Sequence, residues 1–491
     1  MINRHRNIPL KNGVPGVPKI LSNYDEIPSI RKPRSNHVDP LKDITNQFVR
    51  PRIFATEEEV DKNITRNWIN DTINRPVPPR ATVLLRTDEF TDQDLNRESF
   101  HCAMGRILRV AQFFGLLPLA GVTSKTPKDL TFNLFHLRTI YAMAISLLLM
   151  LMFISAIADT ILRQYYSASD KSQEHVGFGV WIIFFYGNAF LCTIFFMRLA
   201  PRWVIIQQDW REMERLLDRG TTEPTRLRRK FALITATILS LALLEHVMGL
   251  LGGPPMELLL SSPELTFDSV VHSVCQASHP FLLTIVNYNM ATGISIIAVN
   301  TVAGFGWNFM DLFVILVAAG LVERYKTLNK KVTREVSTCP NNIDWNELRE
   351  SYATLSKLVK NIDDHISCII LLSFFNNVYF TCLQLLTALS LAMPPWDLVY
   401  FIGSCSFVFG KTVTVTLLAA QINIQSNGVL PDIYMCPESA YNGETRRLQQ
   451  QLSSDQVLLT GMKFFPITRH LLLAITGTIV TYEVLLLNSL H

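Results

Sequence analysis

The chain has 491 residues, of which 48% are hydrophobic and 18% are charged, and its mean hydropathy is +0.22. That balance is too apolar for an ordinary soluble protein with this share of charged residues. The net charge of +4 is too small to indicate nucleic-acid binding. The eight scattered cysteines include no C-x-x-C pair, so they indicate neither a disulfide framework nor a zinc site.

The N-terminal segment, residues 1–98, is polar and rich in Pro, Asn and Arg, which is typical of a largely disordered tail. Residues 99–137 follow, and they contain an apolar stretch, 100–122, that carries Arg106 and Arg109. An apolar helix with basic side chains suits a position along a membrane surface. We therefore predict an interfacial helix region at the inner face of the membrane.

Residues 138–491 contain seven apolar runs of helix length, and each run is long enough to cross a bilayer. The predicted spans are 138–162, 177–200, 230–251, 283–306, 370–393, 397–420 and 471–491. The fourth run is too long for one crossing, and we interpret it as one crossing whose helix continues into the cytosol. Asp311 then lies outside the hydrocarbon. Segments 307–369 and 421–470 are predicted to form cytosolic anchor extensions of the helices.

Lys and Arg are distributed unequally between the two sides of the membrane. The loops after spans two and four each carry eight, and the loop after span six carries four. The opposite side has only Arg163 and Lys171. The positive-inside rule therefore predicts a cytosolic N-terminus and an extracellular C-terminus, which is the reverse of a G-protein-coupled receptor.

The last span, residues 471–491, carries one carboxylate, Glu483, near its middle. A charge at that depth costs about 2.5–3.5 kcal/mol on insertion scales, so such a residue is either functional or hydrogen-bonded to a neighbouring helix. Two neighbouring stripes run along this helix. One contains Ile475, Ile479, Glu483 (or Tyr482) and Leu486, and the other contains Val480, Val484 and Leu487.

The end of the chain resembles the hallmark of insect gustatory receptors, a Thr-Tyr followed by five mostly apolar residues and Gln-Phe. Here Thr481-Tyr482 is followed directly by an acidic residue, Glu483, which is similar to the sugar-receptor branch. The chain departs from the pattern at Asn488-Ser489, where the family usually has Gln-Phe. Further stretches that resemble this branch are Phe100-His101, Ala111-Gln112-Phe113-Phe114-Gly115, Trp307-Asn308-Phe309-Met310-Asp311-Leu312-Phe313, Thr460-Gly461, Phe464-Phe465 and Arg469.

The resemblance covers residues 99–491 and implies an all-α membrane protein that acts as a sugar-gated, non-selective cation channel of taste neurons. It implies a tetramer in the plasma membrane, with a central pore lined by the final helices and a sugar pocket that opens to the outside within each subunit. The implied partners are mono- or disaccharides, membrane lipid, and identical or sister gustatory-receptor subunits, without nucleic acid.

The pore residues predicted from their position in the motif are Leu487 as a gate and Asn488 as a polar ring, with Val480 and Val484 on the Leu487 side. Ordinary helix packing is the alternative. Glu483 lies about 140° around the helix from Asn488, so we expect it to bind a partner behind the pore wall and to couple the pocket to the pore. Lys411, the basic residue inside span six, is a candidate partner, or it extends to the inner interface.

A sugar pocket needs a few polar groups for the hydroxyls and flat aromatic surfaces for the C–H faces. The outer halves of the spans offer Asp159, Trp181, Glu245, His246, Tyr288, Asn289, Tyr379, Gln384, Trp396 and Asp397. Asp159 and Glu245 are the strongest candidates, because both lie towards the outer ends of spans. The alternatives are carboxylates solvated at helix ends, a packed histidine and tryptophans that anchor the interface.

The sequence contains no H-E-x-x-H, G-x-S-x-G, Walker or dinucleotide-binding motif, so we predict neither an enzyme nor a bound metal or cofactor. Two other functions remain open. A transporter of small solutes would be expected to have internal repeats, which are not found in the sequence. A G-protein-coupled chemoreceptor conflicts with the predicted topology.

Overall fold

The computed structural model describes residues 99–166, 172–218, 226–252, 254–261, 266–338, 343–390 and 395–490. The predicted tail, residues 1–98, lies outside the described residues. Within the described ranges the chain forms thirteen α-helices and one β-hairpin. In chain order, α1 to α13 are Phe100–Phe113, Leu137–Tyr166, Ser172–Leu217, Leu227–Leu251, Pro254–Ser261, Phe267–Ser278, Pro280–Leu283, Met290–Thr338, Trp345–Ser390, Pro395–Ser426, Leu430–Tyr434, Gly443–Ser454 and Arg469–Leu490.

Six helices in the described part of the chain are long and apolar enough to cross a membrane, namely α2, α3, α4, α8, α9 and α10. The final helix, α13, has 22 residues and occupies the position of the seventh predicted span. Three helices are much longer than the ~20 residues that a crossing needs. They are α3 with 46 residues, α8 with 49 and α9 with 46, so each extends well beyond one bilayer thickness.

The fourth apolar run forms the single helix α8, without a turn at Gly304 or Gly306. This helix begins at Met290, later than the predicted 283, because the preceding residues form the separate short helix α7 and a non-helical link. The side chain of Asn289 caps α8 by accepting a hydrogen bond from the backbone N–H of Thr292 at 2.8 Å.

The main core surrounds the middle of α8, whose residues from Asn308 to Ala318 are all buried. Helices α3, α9 and α10 pack against it, and α1 packs against α3, α4 and α8. Side chains on every face of this stretch are therefore buried in protein, which explains why it shows no amphipathic period.

The predicted interfacial helix, α1, has one face packed into this core. Its N-cap is Ser99, whose hydroxyl accepts from the backbone N–H of Cys102. The ring of Phe100 stacks on Trp210 of α3 with the ring centroids 3.7 Å apart. Arg106 and Arg109 are exposed on the opposite face. The helix is therefore amphipathic, as its sequence indicates.

The described part of the chain also contains a short hairpin, in which β1, Thr460–Gly461, pairs antiparallel with β2, Phe465–Pro466. Met462 and Lys463 form its turn with φ of 50° and 63°. The carboxylate of Asp363 on α9 holds β1, because it accepts from the backbone N–H of Thr460 at 2.6 Å. Strands of two residues are too short to show a periodic pattern, and the turn has no glycine at its positive φ positions. The hairpin could therefore not be predicted from the sequence.

Candidate ligand pocket and pore helix

A polar cluster joins α4, α9 and α10 at the predicted outer side. Glu245 of α4 accepts hydrogen bonds from the hydroxyl of Ser404 at 2.9 Å and from that of Tyr400 at 3.3 Å. The Ser404 hydroxyl also accepts from the Gln384 side-chain amide at 2.8 Å. The fold thus brings two predicted pocket residues, Glu245 and Gln384, into one network, which we call the Glu245 cluster.

Tyr400 and Ser404 were missed in the sequence-based prediction. They lie four residues apart on one face of α10, and both are polar within an apolar span. That spacing was the available signal. Cys405 adds a further contact, because its thiol lies 3.3 Å from the Gln384 amide oxygen.

His246, beside Glu245 on α4, contacts α8. Its Nε2 lies 3.1 Å from the hydroxyl oxygen of Thr301. The Thr301 hydroxyl donates to the backbone carbonyl of Ile297 at 2.8 Å, so Nε2 of His246 is the donor in its pair. A Cβ at Gly304 would lie 3.2 Å from the imidazole, so this glycine lets the ring approach α8. His246 is thus held between helices, as the packed-histidine alternative describes.

A second polar cluster is centred on a buried ion pair. Lys411 of α10 lies 3.0 Å from a carboxylate oxygen of Asp311 on α8 and donates to the amide oxygen of Asn308 at 2.8 Å. The other Asp311 oxygen accepts from Asn377 at 3.1 Å and from the hydroxyl of Ser373 on α9. We call this set the Asp311 cluster. Its carboxylate accepts three hydrogen-bonding or ionic contacts, which offset part of the cost of burying the charge.

The structure gives Asp311 and Lys411 a partnership that the sequence did not identify. Asp311 is fully buried in protein, and pairing with Lys411 offsets the cost of burying its charge. Its position outside the hydrocarbon stays a prediction. Lys411, predicted to pair with Glu483 or to extend to the inner interface, is buried beside Asp311 and does not extend to the subunit surface, and its ammonium lies 4.9 Å from the ring centroid of Trp307.

The two clusters share α9 and α10, and α8, which belongs to the Asp311 cluster, contacts His246 beside Glu245. On each of these three helices, a residue in or beside the Glu245 cluster lies seven positions from a residue of the Asp311 cluster. The pairs are Thr301 and Asn308 on α8, Gln384 and Asn377 on α9, and Ser404 and Lys411 on α10. Seven residues are two helical turns, about 10.5 Å, and return to the same helix face. Polar contacts thus follow one face of each helix from the Glu245 cluster to the Asp311 cluster.

Asp159 lies apart from these clusters in its contacts. It pairs with Arg163, one turn later on α2, at 2.7 Å. It also lines a cavity of about 40 Å³ with Gly179 of α3 and Phe281 of α7. A volume of this size suits about one water molecule and is too small for a sugar ring. Asp159 is therefore in a local ion pair with Arg163, and the residues that it contacts differ from those that contact Glu245.

Trp181 and Tyr379 belong to an aromatic cluster between α3 and α9. Trp181 stacks on Phe185 with centroids 5.5 Å apart and meets Phe380 edge-on at 6.3 Å. The ring of Tyr379 lies 4.2 Å from that of Phe184. These two predicted residues are thus close to each other, and Phe380 links them to Trp307 beside the Asp311 cluster at 4.8 Å.

The remaining predicted pocket residues have local contacts. Tyr288 donates its hydroxyl to the carboxylate of Asp268 at 2.9 Å, and Asn289 is the cap of α8. Trp396, in the first turn of α10, is exposed, as expected for an anchor at the membrane interface. The described contacts do not join these three residues to the Glu245 cluster.

The two stripes of the final helix, α13, face different surroundings. Ile475 and Ile479 are 8% and 7% exposed and pack into the main core. Val480 and Val484 are 56% and 51% exposed, and Thr481 and Tyr482 are exposed beside them. The side chains of Glu483, Leu487 and Asn488 lie outside the described residues. The Val480 stripe is therefore part of the surface of α13 that the subunit leaves open, and that surface also includes Leu473 and Leu485.

The segment between α6 and α7 contains a buried histidine. The Tyr186 hydroxyl lies 2.5 Å from Nε2 of His279, whose Nδ1 lies 2.7 Å from the hydroxyl oxygen of Ser278. Ser278 donates its own hydrogen to the carbonyl of Val274, so Nδ1 carries the imidazole hydrogen and Nε2 accepts from Tyr186. Burial lowers the pKa of His279 to about 4, which keeps the ring neutral.

Comparison with known proteins gives concordant matches. The sequence profile of a family described as "Trehalose receptor" matches residues 56–491. The Drosophila melanogaster protein "Gustatory receptor for sugar taste 64f" is 29% identical over 451 residues, which are 91% of each chain. "Gustatory receptor 5a for trehalose" from the same species is 32% identical over 397 residues, or 80% of this chain and 86% of that protein.

The fold is also found in a solved structure. The insect olfactory receptor OR5 from Machilis hrabei, in complex with eugenol, matches with a TM-score of 0.58 and 12% identity over 79% of this chain and 97% of that one. At 12% sequence identity, this match shows a common fold and nothing about function. It confirms the predicted all-α, multi-pass membrane fold.

Proposed function

Because the chain belongs to the trehalose receptor family of sugar-taste gustatory receptors, we propose that it is a sugar-gated cation channel. Sugar would bind among the outer parts of α4, α9 and α10, and cations would pass through a pore formed by the final helices of four subunits. The N-terminus would lie in the cytosol and the C-terminus outside, as the distribution of Lys and Arg predicts.

The Glu245 cluster is the observation on which this proposal rests. It links a carboxylate, two hydroxyls and an amide from three helices through three hydrogen bonds. These are the groups that orient sugar hydroxyls, and a carboxylate can accept from two adjacent hydroxyls of a neutral sugar. A bound sugar would replace the protein hydroxyls of Tyr400 and Ser404 as donors to Glu245.

The replacement of these donors by a sugar could couple ligand binding to movement of the pore helix. Tyr400 and Ser404 hold α10 to α4, so their release would allow α10 to move relative to α4. Lys411, two turns along α10, moves with it, and its ion pair transmits the shift to α8. Helices α9 and α10 both pack against α13. Differential binding of sugar to two arrangements of these helices would shift the channel towards opening.

The exposed stripe of α13 supports the proposed pore. Val480 and Val484 present apolar side chains on a surface that the subunit does not cover. Around a fourfold axis they would form hydrophobic rings, and such rings close a pore by excluding water. We place Leu487 on this stripe and Asn488 as the polar ring beside it, and we assign Thr481, Tyr482 and Glu483 to coupling between the pore helix and its neighbours.

Whole-cell recording during sugar application, with G-protein signalling blocked, tests the proposal. The chain should be expressed alone and with a sister sugar receptor, across mono- and disaccharides. A rapid, sustained cation current is the expected result. Saturable sugar uptake without current would instead identify a transporter, and a current abolished by the signalling block would identify a receptor that acts through G proteins.

A further inference from the structure

A basic cavity of about 790 Å³ lies between α1, the loop that follows it and the first turn of α4. Eleven residues line it, of which four are basic and none is acidic. The basic residues are Arg106 and Arg109 on α1, Lys125 in the loop and Arg228 on α4, and all four are exposed. The sugar-gating proposal does not use this cavity.

Four basic side chains around one opening create a positive potential that favours an anion. Arg106 and Arg109 are three residues apart on α1, a spacing at which like charges destabilise a helix. A bound anion would relieve this repulsion and would bind in a field focused by the cavity walls. Guanidinium groups are particularly suited to phosphate, because they present paired donors to its oxygens.

The cavity also has an apolar wall. Val110 and Phe113 line it from α1 and are exposed, Phe113 by 72%. At the same end, the hydroxyl of Tyr141 in α2 donates to the backbone carbonyl of Phe113 at 2.7 Å. This contact places the end of α1 against the first turns of α2, the first helix that is long and apolar enough to cross a membrane. The apolar wall can contact the acyl chain of a lipid, whereas a free phosphate has no apolar part to contact it.

We propose that this cavity binds an anionic phospholipid, with its phosphate among the arginines and its acyl chain along Val110 and Phe113. With the predicted cytosolic N-terminus, the lipid belongs to the inner leaflet, where anionic lipids attract basic segments. A lipid bound here would contact α1, the loop after it and α4 at once, and would therefore stabilise the packing of α1 against the spanning helices.

The test uses the purified full-length protein in neutral detergent and measures its thermal stability during titration with dioctanoyl-phosphatidylserine. Dioctanoyl-phosphatidylcholine and inorganic phosphate are titrated in parallel. Arg106→Gln/Arg109→Gln should weaken the apparent affinity for phosphatidylserine about thirtyfold, since each cation near an anionic lipid contributes about fivefold. The matched control is Lys357→Gln/Arg446→Gln, which removes two exposed charges outside the cavity and should leave the titration unchanged.

The results separate the alternatives. Equal stabilisation by phosphatidylcholine, or equal losses in the two double variants, would overturn the proposal. Stabilisation by inorganic phosphate equal to that by phosphatidylserine would show a free-anion site and would overturn the assignment to a lipid. Lys125→Gln, in the exposed loop, should weaken binding about fivefold and serves if the double variant fails to fold. Neither sugar nor current enters this measurement, so its outcome is independent of the proposed gating.

Discussion

The ammonium of Lys411 and the carboxylate of Asp311 lie 3.0 Å apart, and both side chains are almost completely buried. The pair joins α10 to α8 and is supported by Asn308, Ser373 and Asn377. Each charge makes the burial of the other tolerable, so the two residues act as a unit. Burying either charge alone would cost free energy, and the charge of the partner offsets part of that cost.

This mutual dependence predicts a specific pattern of stabilities. Asp311→Asn should destabilise the protein by about 3–5 kcal/mol, because Lys411 is left buried without its counter-charge. The double variant Asp311→Leu/Lys411→Met should be less destabilised than either Asp311→Leu or Lys411→Met alone. Thermal melting of the detergent-solubilised protein measures the order. Additive losses in the double variant would show that the pair is not coupled.

A second prediction concerns sugar sensitivity. Glu245→Gln removes the charged acceptor but keeps the size of the side chain, so it should raise the half-maximal sugar concentration about tenfold or more. The measurement is a concentration–response curve of the sugar-evoked current at matched surface expression. The control is Glu212→Gln, at an exposed position on α3, which should leave the curve unchanged. An unchanged curve for Glu245→Gln would exclude the Glu245 cluster as the sugar site.

The long helices and their apolar faces could be predicted from the sequence, but the partners within the site could not. Length and hydropathy locate the apolar run of α8, because these properties are local, and the placement of Lys and Arg favours one continuous helix over two crossings. Which partners bind Glu245 depends on how α4 and α10 pack, and nothing near Glu245 in the sequence identifies Tyr400 or Ser404. The same limit applies to α13: Ile479 and Val480 are both apolar, and only the packing shows which of them faces the core.

That difference between Ile479 and Val480 gives the third prediction. Val480→Ser should raise the current in the absence of sugar, because a polar ring would hydrate the closed pore. Ile479→Ser should instead lower folding and surface expression, because it places a hydroxyl in the core and removes packed methyl groups, at a cost of about 2–5 kcal/mol. Basal current and surface labelling are recorded for both. Equal behaviour of the two variants would contradict the assignment of the Val480 stripe to the pore.

The fourth prediction follows from the buried neutral His279. Its pKa in the folded protein is about 4, below its ordinary value of 6.5, so the unfolded chain binds more protons between these values. Its contribution to stability is therefore complete above pH 6.5 and is lost as the pH falls from 6.5 towards 4. The melting temperature of the wild type should fall over this range more steeply than that of His279→Gln. Parallel pH profiles would show that His279 does not titrate on unfolding.

The fifth prediction tests the carboxylate of the pore helix. Glu483 lies four residues after Ile479, and the sequence places the two positions on one stripe of the final helix. A carboxylate that couples the pocket to the pore should be needed for opening and not for assembly. Glu483→Gln should therefore reduce the sugar-evoked current about tenfold or more at normal surface expression, since a hydrogen bond to a charged group contributes about 1.5–3 kcal/mol. Glu483→Asp, which keeps the charge, should recover part of the current. A normal sugar-evoked current in Glu483→Gln would show that the charge at this position does not serve coupling.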